Sequence, residues 1–258
     1  YVGYERLRET GQTFDRDALD TAWWENYLNR KQGYRAAIDV LPRVPAQWRG
    51  YFGDDDLPIG LITLPSSDNP TYAMHNRETR ELHRRAAEGA PGVGVILPGN
   101  EHIPFSGQPA DDKLVAQRSL AWLLGSAYGK AGVVPTGPVF DRVELDYATA
   151  QVFFKEGTAE GLSAAPGALD HLEVAGTGRV WVPAEAEIDG QTIRLGSDQV
   201  SRIMFVRYNY NLRPDYGLTN SAGLPALPFV TGTHDYVDVP RTTEEDLPPE
   251  YTTRSEEH

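Results

Sequence analysis

Cysteine is absent from the 258 residues. That absence removes disulfides, thiolate metal sites and a cysteine nucleophile together, and leaves the redox compartment open. Lysine is almost absent, confined to Lys31, Lys113, Lys130 and Lys155. No run of Lys and Arg is longer than a pair such as Arg84-Arg85. With 24 basic residues against 37 acidic ones and a formal charge of -13, the chain offers no basic stripe with which to neutralise phosphates, which argues against a nucleic-acid partner. Apolar runs are short: none approaches the roughly 18 residues a membrane-spanning helix needs, so no membrane span is expected. No charged-then-apolar leader opens the chain. Position 1 is Tyr1 and not methionine, and a processed, trimmed or partial polypeptide is expected.

What is present suffices for a real core, since 40% of the residues are hydrophobic. The character of the chain changes near residue 135. Upstream, "LPIGLITL" (57–64) and "GVGVIL" (92–97) are continuous apolar runs of the sort buried on both faces of a parallel sheet. Between them, Asn69 and Pro70 supply a helix start and Gly89 a stop. A helix beginning near Asp111 and Asp112 is expected to turn Ala116, Leu120, Leu123 and Ala127 inward, and an earlier one at 25–41 to turn Tyr27, Tyr34, Ile38 and Leu41 to one side. His75 and His83, eight residues apart on the helix between the two runs, are read as part of a charged surface stripe; metal ligation would want a spacing of three or four. Downstream come short strands, with Asp189-Gly190 marking a hairpin. The expected fold class is α/β: residues 1–137 form a partial α/β domain, 138–232 a β-sandwich-like module and 233–258 a flexible acidic tail.

Several blocks carry a resemblance. "GPVFDRVELDYATAQVFF", "LDHLEVAGTGRVWVPAEAEIDGQTIRL" and "VRYNYNLRPDYGLTNSAGLPALPF" resemble, in order and spacing, the C-terminal region of the sialate O-acetylesterase family. The last block, with Arg207-Tyr208, Asn220 and Gly223 to Phe229, is the most specific. Upstream, "YRAAIDVLPRVPAQWRGYFGDDDLPIGLITL" and "HNRETRE" are similar to the family's tyrosine-arginine helix, tryptophan-arginine pair and arginine-glutamate helix. The resemblance covers roughly 20–232. It implies the later half of an SGNH-like (flavodoxin-like) three-layer sheet, a serine nucleophile, an oxyanion hole of glycine and asparagine, and an aspartate-x-histidine pair acting as orienter and base. It also leans toward secretion or the periplasm, and implies no cofactor and no metal.

Each part of that machinery has to be located separately, because attack on an acetyl ester needs a base for the hydroxyl proton and donors for the oxyanion. The nucleophile block is expected upstream of Tyr1. "TGQTFD" around Gln12 is a superficial match, and Ser163 in "GLSAAPG" reads as a turn serine. In the oxyanion block "WWENYL", Glu25 matches the family's glutamate, Trp24 falls on its glycine and Tyr27 on its asparagine. An indole cannot replace a glycine that lets a backbone N–H approach the substrate; Asn26 and Asn29 are close enough for a shifted register to supply one side-chain donor. In "SGQPADDK", registered on Pro109 and Lys113, Ser106 stands at the family's aspartate and Gln108 at its histidine. A glutamine amide has no proton affinity near neutral pH and cannot act as general base. His102 is the candidate substitute, if the loop "GNEHIPFSG" re-threads with Asn100 or Glu101 orienting it.

Two readings lead, with a purely structural subunit as a weaker third. In the first, this chain is non-catalytic by itself and keeps a carbohydrate-associated binding or scaffold role. In the second, it is the downstream part of an active serine carbohydrate O-acetylesterase whose nucleophile lies on an upstream or separate segment completing the α/β sheet, with His102 as base. O-acetylated carbohydrate is the expected partner in both. Trp23, Trp24, Trp48 and Tyr51 offer faces for sugar stacking, although core packing is the commoner fate of aromatics interleaved with aliphatic residues.

Overall fold

The computed structural model describes residues 43–64, 70–88, 90–98, 112–210 and 216–232. Glu25, Asn26, His102, Ser106 and Gln108, the helix expected at 25–41 and the acidic tail at 233–258 lie outside the described residues.

The first described helix, α1 (Val44–Phe52), starts with proline in its first turn and ends at Gly53, whose φ of 66° turns the backbone left-handed and returns an N–H to the Arg49 carbonyl. Strand β1 (Ile59–Ile62), helix α2 (Pro70–Glu88), strand β2 (Val93–Ile96) and helix α3 (Asp112–Trp122) follow; α3 continues as a π-helical turn, Leu123–Ala127. The two apolar runs therefore become strands, paired parallel with Gly60 opposite Gly94. These glycines make a seat. A β-carbon on Gly94 would lie 1.9 Å from Trp122 Nε1, and one on Gly60 would lie 3.2 Å from the same indole. Trp122 is buried there, so the absence of two side chains is what lets α3 close onto the sheet.

Two expectations need correction. The run at 57–64 is not buried on both faces: Ile59 is covered, but Ile62 is 47% exposed. The parallel sheet has two strands among the described residues, and an apolar run reports only what a strand is able to bury. The inward face of α3 is also not Ala116, Leu120, Leu123 and Ala127. Leu120 is exposed, and Val115, Arg118 and Trp122 point inward, at the i, i+3, i+7 spacing of one helical face. Arg118 pays its way into the interior by donating from Nη1 to the Leu97 carbonyl at 3.0 Å, which no count of apolar residues anticipates.

Beyond Gly137 the chain is built almost wholly of strands: β3 (Phe140–Asp146), β4 (Thr149–Phe154), β5 (Ser163–Ala164), β6 (Leu172–Ala175), β7 (Trp181–Pro183), β8 (Glu185–Asp189), β9 (Thr192–Gly196), β10 (Phe205–Tyr208), β11 (Leu218–Thr219) and β12 (Phe229–Val230), with one short 3-10 turn, Ala168–His171. They form two four-stranded sheets, ordered β12-β10-β6-β7 and β3-β4-β9-β8, and a small β5-β11 pair. Val152, Ile193 and Leu195 from one sheet and Leu172, Val174, Val206, Tyr208 and Phe229 from the other share one buried cluster. Alternation produces it: β4 reads exposed-buried along Thr149–Phe154 and β9 does the same. The β8–β9 hairpin pairs Asp189 with Thr192, so its central residues are Gly190 and Gln191, not Asp189 and Gly190. Only Gly190 takes positive φ, 64°, as a turn with glycine at its first central position requires.

Gly94→Ala is expected to destabilise the chain by about 1–3 kcal/mol through overpacking against Trp122. Gly50→Ala, where nothing lies within 4 Å of the new atom, should be neutral or mildly stabilising. Urea unfolding of the two variants checks the contrast.

Candidate functional site

The carboxyl ends of β1 and β2 define the candidate site, because open α/β sheets bind ligands where their parallel strands end. Thr63 leaves β1 there, its N–H still bonded to Ile96 O at 3.0 Å. Helix α3 meets β2 running the opposite way, with Trp122 over Gly94 and Arg118, one turn earlier, on Leu97. Its N-terminus therefore lies at the same end as Leu97. Residues 99–111 join these two anchors, and they carry His102, Ser106 and Gln108. Both attachment points of the sequence-predicted block thus stand at the carboxyl edge, while the three residues themselves are outside the described region.

Beside this edge α2 turns an unusual face inward: Asn76, Arg80, Glu81 and Arg84 are all buried. The expectation of a charged surface stripe along this helix is corrected here, for the charges are used inside. Glu81, 1% exposed, accepts from Arg84 Nε at 2.7 Å and Arg84 Nη2 at 2.5 Å. It also accepts from Arg85 Nε at 2.7 Å, and Arg84 bonds Glu88 as well. Arg84 lies over the Phe140 ring, Arg77 over Tyr210, and Arg85 Nη2 donates to the Gly232 carbonyl at 2.7 Å. The face thereby ties the α/β part to the β module. Tyr216, buried with Val95, Leu97 and Leu227, stands near Arg80 and Arg118. Burial pushes its phenol above the usual range, against the pull of those two cations. Burial likewise lowers Arg118. Sequence reasoning gave no role of their own to Arg80, which lies in the block "HNRETRE", or to Arg118 and Tyr216. The signal available for the helix was spacing, with Arg77, Arg80 and Arg84 recurring every three or four residues.

The remaining residues singled out in the sequence serve structure. Asn220 is 3% exposed, donates from Nδ2 to the carbonyls of Thr136 and Thr158 at 3.0 Å, and accepts at Oδ1 from the N–H groups of Ala222 and Leu224 at 3.1 Å. Arg207 and Tyr208 face opposite ways on β10: Arg207 pairs with Glu173 through two bonds of 2.7 and 2.8 Å, and Tyr208 is fully buried. Gly223 takes a φ of 70°. Ser163 sits on β5 opposite Thr219, a strand residue and not a turn serine. Trp48 and Tyr51, 53% and 86% exposed, are not core residues; their helix is held instead by Arg49, which donates to the carbonyls of Leu57 and Pro91.

A cavity of about 20 Å³ opens where the two parts meet, lined by Leu97, Arg118, Thr136, Gly137 and Pro225 among others. It has room for about one water and none for a sugar ring. Among the described residues no cluster of three or more His, Cys, Asp or Glu could hold a metal ion, and no helix is long and apolar enough to cross a membrane.

No family model and no curated protein matches the sequence. Among solved structures, a carbohydrate acetylesterase from Xanthomonas citri superposes with a TM-score of 0.68 at 26% identity, over 77% of this chain and 46% of that one. The chain thus spans about half the length of that enzyme. An S-layer protein aligns over 89% of this chain and 27% of its own, at a TM-score of 0.29 and 13% identity, too weak a likeness to bear on the fold. The mixed helix-and-sheet architecture with several antiparallel sheets is compatible with an esterase-like fold, and the chain is related in structure to a carbohydrate esterase.

His83 supplies a pH test of the buried helix face. Burial holds its imidazole below the ordinary value of 6.5, and Nδ1 has no hydrogen-bond partner among the described residues. The folded state therefore resists a proton that the unfolded chain accepts, so this contribution to stability is present above pH 6.5 and is lost as pH falls below it. Urea unfolding at pH 7.5 and 5.5 is expected to show a smaller acid loss in His83→Gln than in the wild type.

Proposed function

We propose that this chain is a carbohydrate O-acetylesterase-like protein of the sialate O-acetylesterase type that is non-catalytic by itself and keeps a carbohydrate-associated binding or scaffold role. The structural relation to the Xanthomonas citri carbohydrate acetylesterase carries the first part of this reading. Chemistry carries the second. At the positions that the resemblance assigns to the orienting aspartate and the general base stand Ser106 and Gln108, neither of which takes up a proton near pH 7. The block matching the oxyanion hole keeps Glu25 and has Asn26 as its nearest amide, with Trp24 in place of the glycine. Without base, oxyanion donors and nucleophile aligned together, the terms that supply most of the acceleration are missing.

In this reading, residues 1–137 are the later part of an SGNH-like three-layer domain, 138–232 a β-sandwich-like module and 233–258 a tail. A further segment, on the same polypeptide or a separate one, would complete the sheet beside β1. O-acetylated carbohydrate is the ligand class, with no cofactor required, and secretion or the periplasm the setting.

The purified chain, incubated with an activated acetyl ester and with O-acetylated sugars, is expected to show no turnover above buffer, and Ser106→Asp with Gln108→His is expected not to restore it. Turnover in the unmodified chain that is lost in His102→Ala, with the fold retained, would overturn the non-catalytic reading and establish His102 as the base of an active esterase.

A further inference from the structure

The β8–β9 turn carries a reactive pair of residues. Asp189-Gly190 is the single Asp-Gly step of the sequence, which has no Asn-Gly step. A glycine in second place matters because its main-chain nitrogen has no β-carbon beside it to screen it from the preceding carboxyl group. At Gly190, where φ is 64°, the space a β-carbon would fill is also open, with nothing within 4 Å. The Asp189 side chain is 57% exposed, and Arg194 Nη2 stands 3.5 Å from its Oδ2 on a side chain that is itself 65% exposed, an ion pair of little strength. The main-chain carbonyl of Asp189 is held more firmly: it accepts from the Thr192 hydroxyl at 2.8 Å. An exposed carboxyl group, an open glycine and a polarised carbonyl thus lie on adjoining atoms.

We propose that Asp189 is a modification site at which the folded chain forms isoaspartate, and that the product is a substrate for an S-adenosylmethionine-dependent isoaspartyl carboxyl methyltransferase. The Gly190 nitrogen attacks Cγ of the protonated Asp189 carboxyl group. The N–Cγ bond forms as a Cγ–O bond breaks, and the amide proton leaves with that oxygen as water. Water then opens the five-membered succinimide. Attack at the former main-chain carbonyl breaks its bond to the Gly190 nitrogen, which regains a proton, and the chain now runs through the old side chain. One water leaves and one returns, so the mass is unchanged. The Thr192 hydroxyl favours this direction of opening, because it polarises that carbonyl and stabilises the oxyanion formed there. The product has one more carbon in its main chain between residues 189 and 190. The Asp189–Thr192 pair that closes the hairpin then loses its register. Strand β8 lies at the edge of its sheet and loosens, while β3, β4 and β9 remain paired. Nothing in this inference requires ester turnover, and it stands or falls apart from the esterase reading.

The test ages the full, folded chain at pH 7.4 and 37 °C and follows the tryptic fragment 180–194 by chromatography and mass spectrometry; Asp189 is the only Asp or Asn in that fragment. A second form of unchanged mass is expected to accumulate with time. It should resist a protease that cleaves before aspartate, and it should take up one methyl group from S-adenosylmethionine when a purified isoaspartyl methyltransferase is added. A minor form lighter by one water should precede it. Asp189→Glu, which keeps the charge but would need a six-membered ring, is expected to lose the second form, and Thr192→Val to lower its yield. No second form in the folded chain while a free peptide of residues 180–194 converts in the same buffer, the same form in Asp189→Glu, or an unchanged yield in Thr192→Val would each overturn the site as assigned.

Discussion

One side-chain amide fixes the junction on which the rest of the structure depends. The Asn220 side chain makes four hydrogen bonds, the full capacity of a carboxamide. Two of them hold carbonyls far away in sequence, Thr136 at the end of the α/β part and Thr158 after β4. The other two close the loop that contains Asn220 itself. Around this fastener the backbone comes into contact: Leu227 N–H bonds the Pro138 carbonyl at 3.0 Å, and a β-carbon on Gly137 would stand 2.0 Å from the Pro225 carbonyl oxygen. Glycine at 137 is therefore a condition of the crossing, and Asn220 is what holds it shut.

The junction has a second, ionic layer along α2. A carboxylate as buried as Glu81 would be costly alone, but the guanidiniums of Arg84 and Arg85 supply both charge and donors. Arg84 then presents its face to Phe140, and Arg85 reaches Gly232. The same helix that covers β2 thus addresses the β module by way of charged groups, and these contacts require specific partners where apolar packing would accept many.

The two parallel strands were legible because continuous apolar runs flanked by helix signals have few other solutions, and the β module was legible in its alternation and in Gly190. The exposure of Ile62 and the inward face of α3 were not. Run length says nothing about which face finds a cover, and a helix that buries Arg118 through one carbonyl bond and Trp122 through two missing side chains cannot be oriented by counting leucines. Asn220 and Gly223 were noticed through resemblance; their work, clamping a loop and supplying positive φ, becomes visible only with the partners placed. In the proposed reading the catalytic question turns on the residue identities at 106 and 108, and in its alternative on where His102 is placed. The buried arginines were hidden by habit, because a charged residue at helical spacing is ordinarily assigned to the surface.

Asn220→Asp keeps the shape of the side chain and puts one carboxylate oxygen, which cannot donate, where Nδ2 bonds the carbonyls of Thr136 and Thr158. Urea unfolding of this variant at pH 7 tests the fastener most directly. The account predicts a loss of about 2–4 kcal/mol, the cost of two broken hydrogen bonds plus buried acceptors left unpaired. A loss below about 0.5 kcal/mol, the range of an ordinary surface substitution, would contradict it.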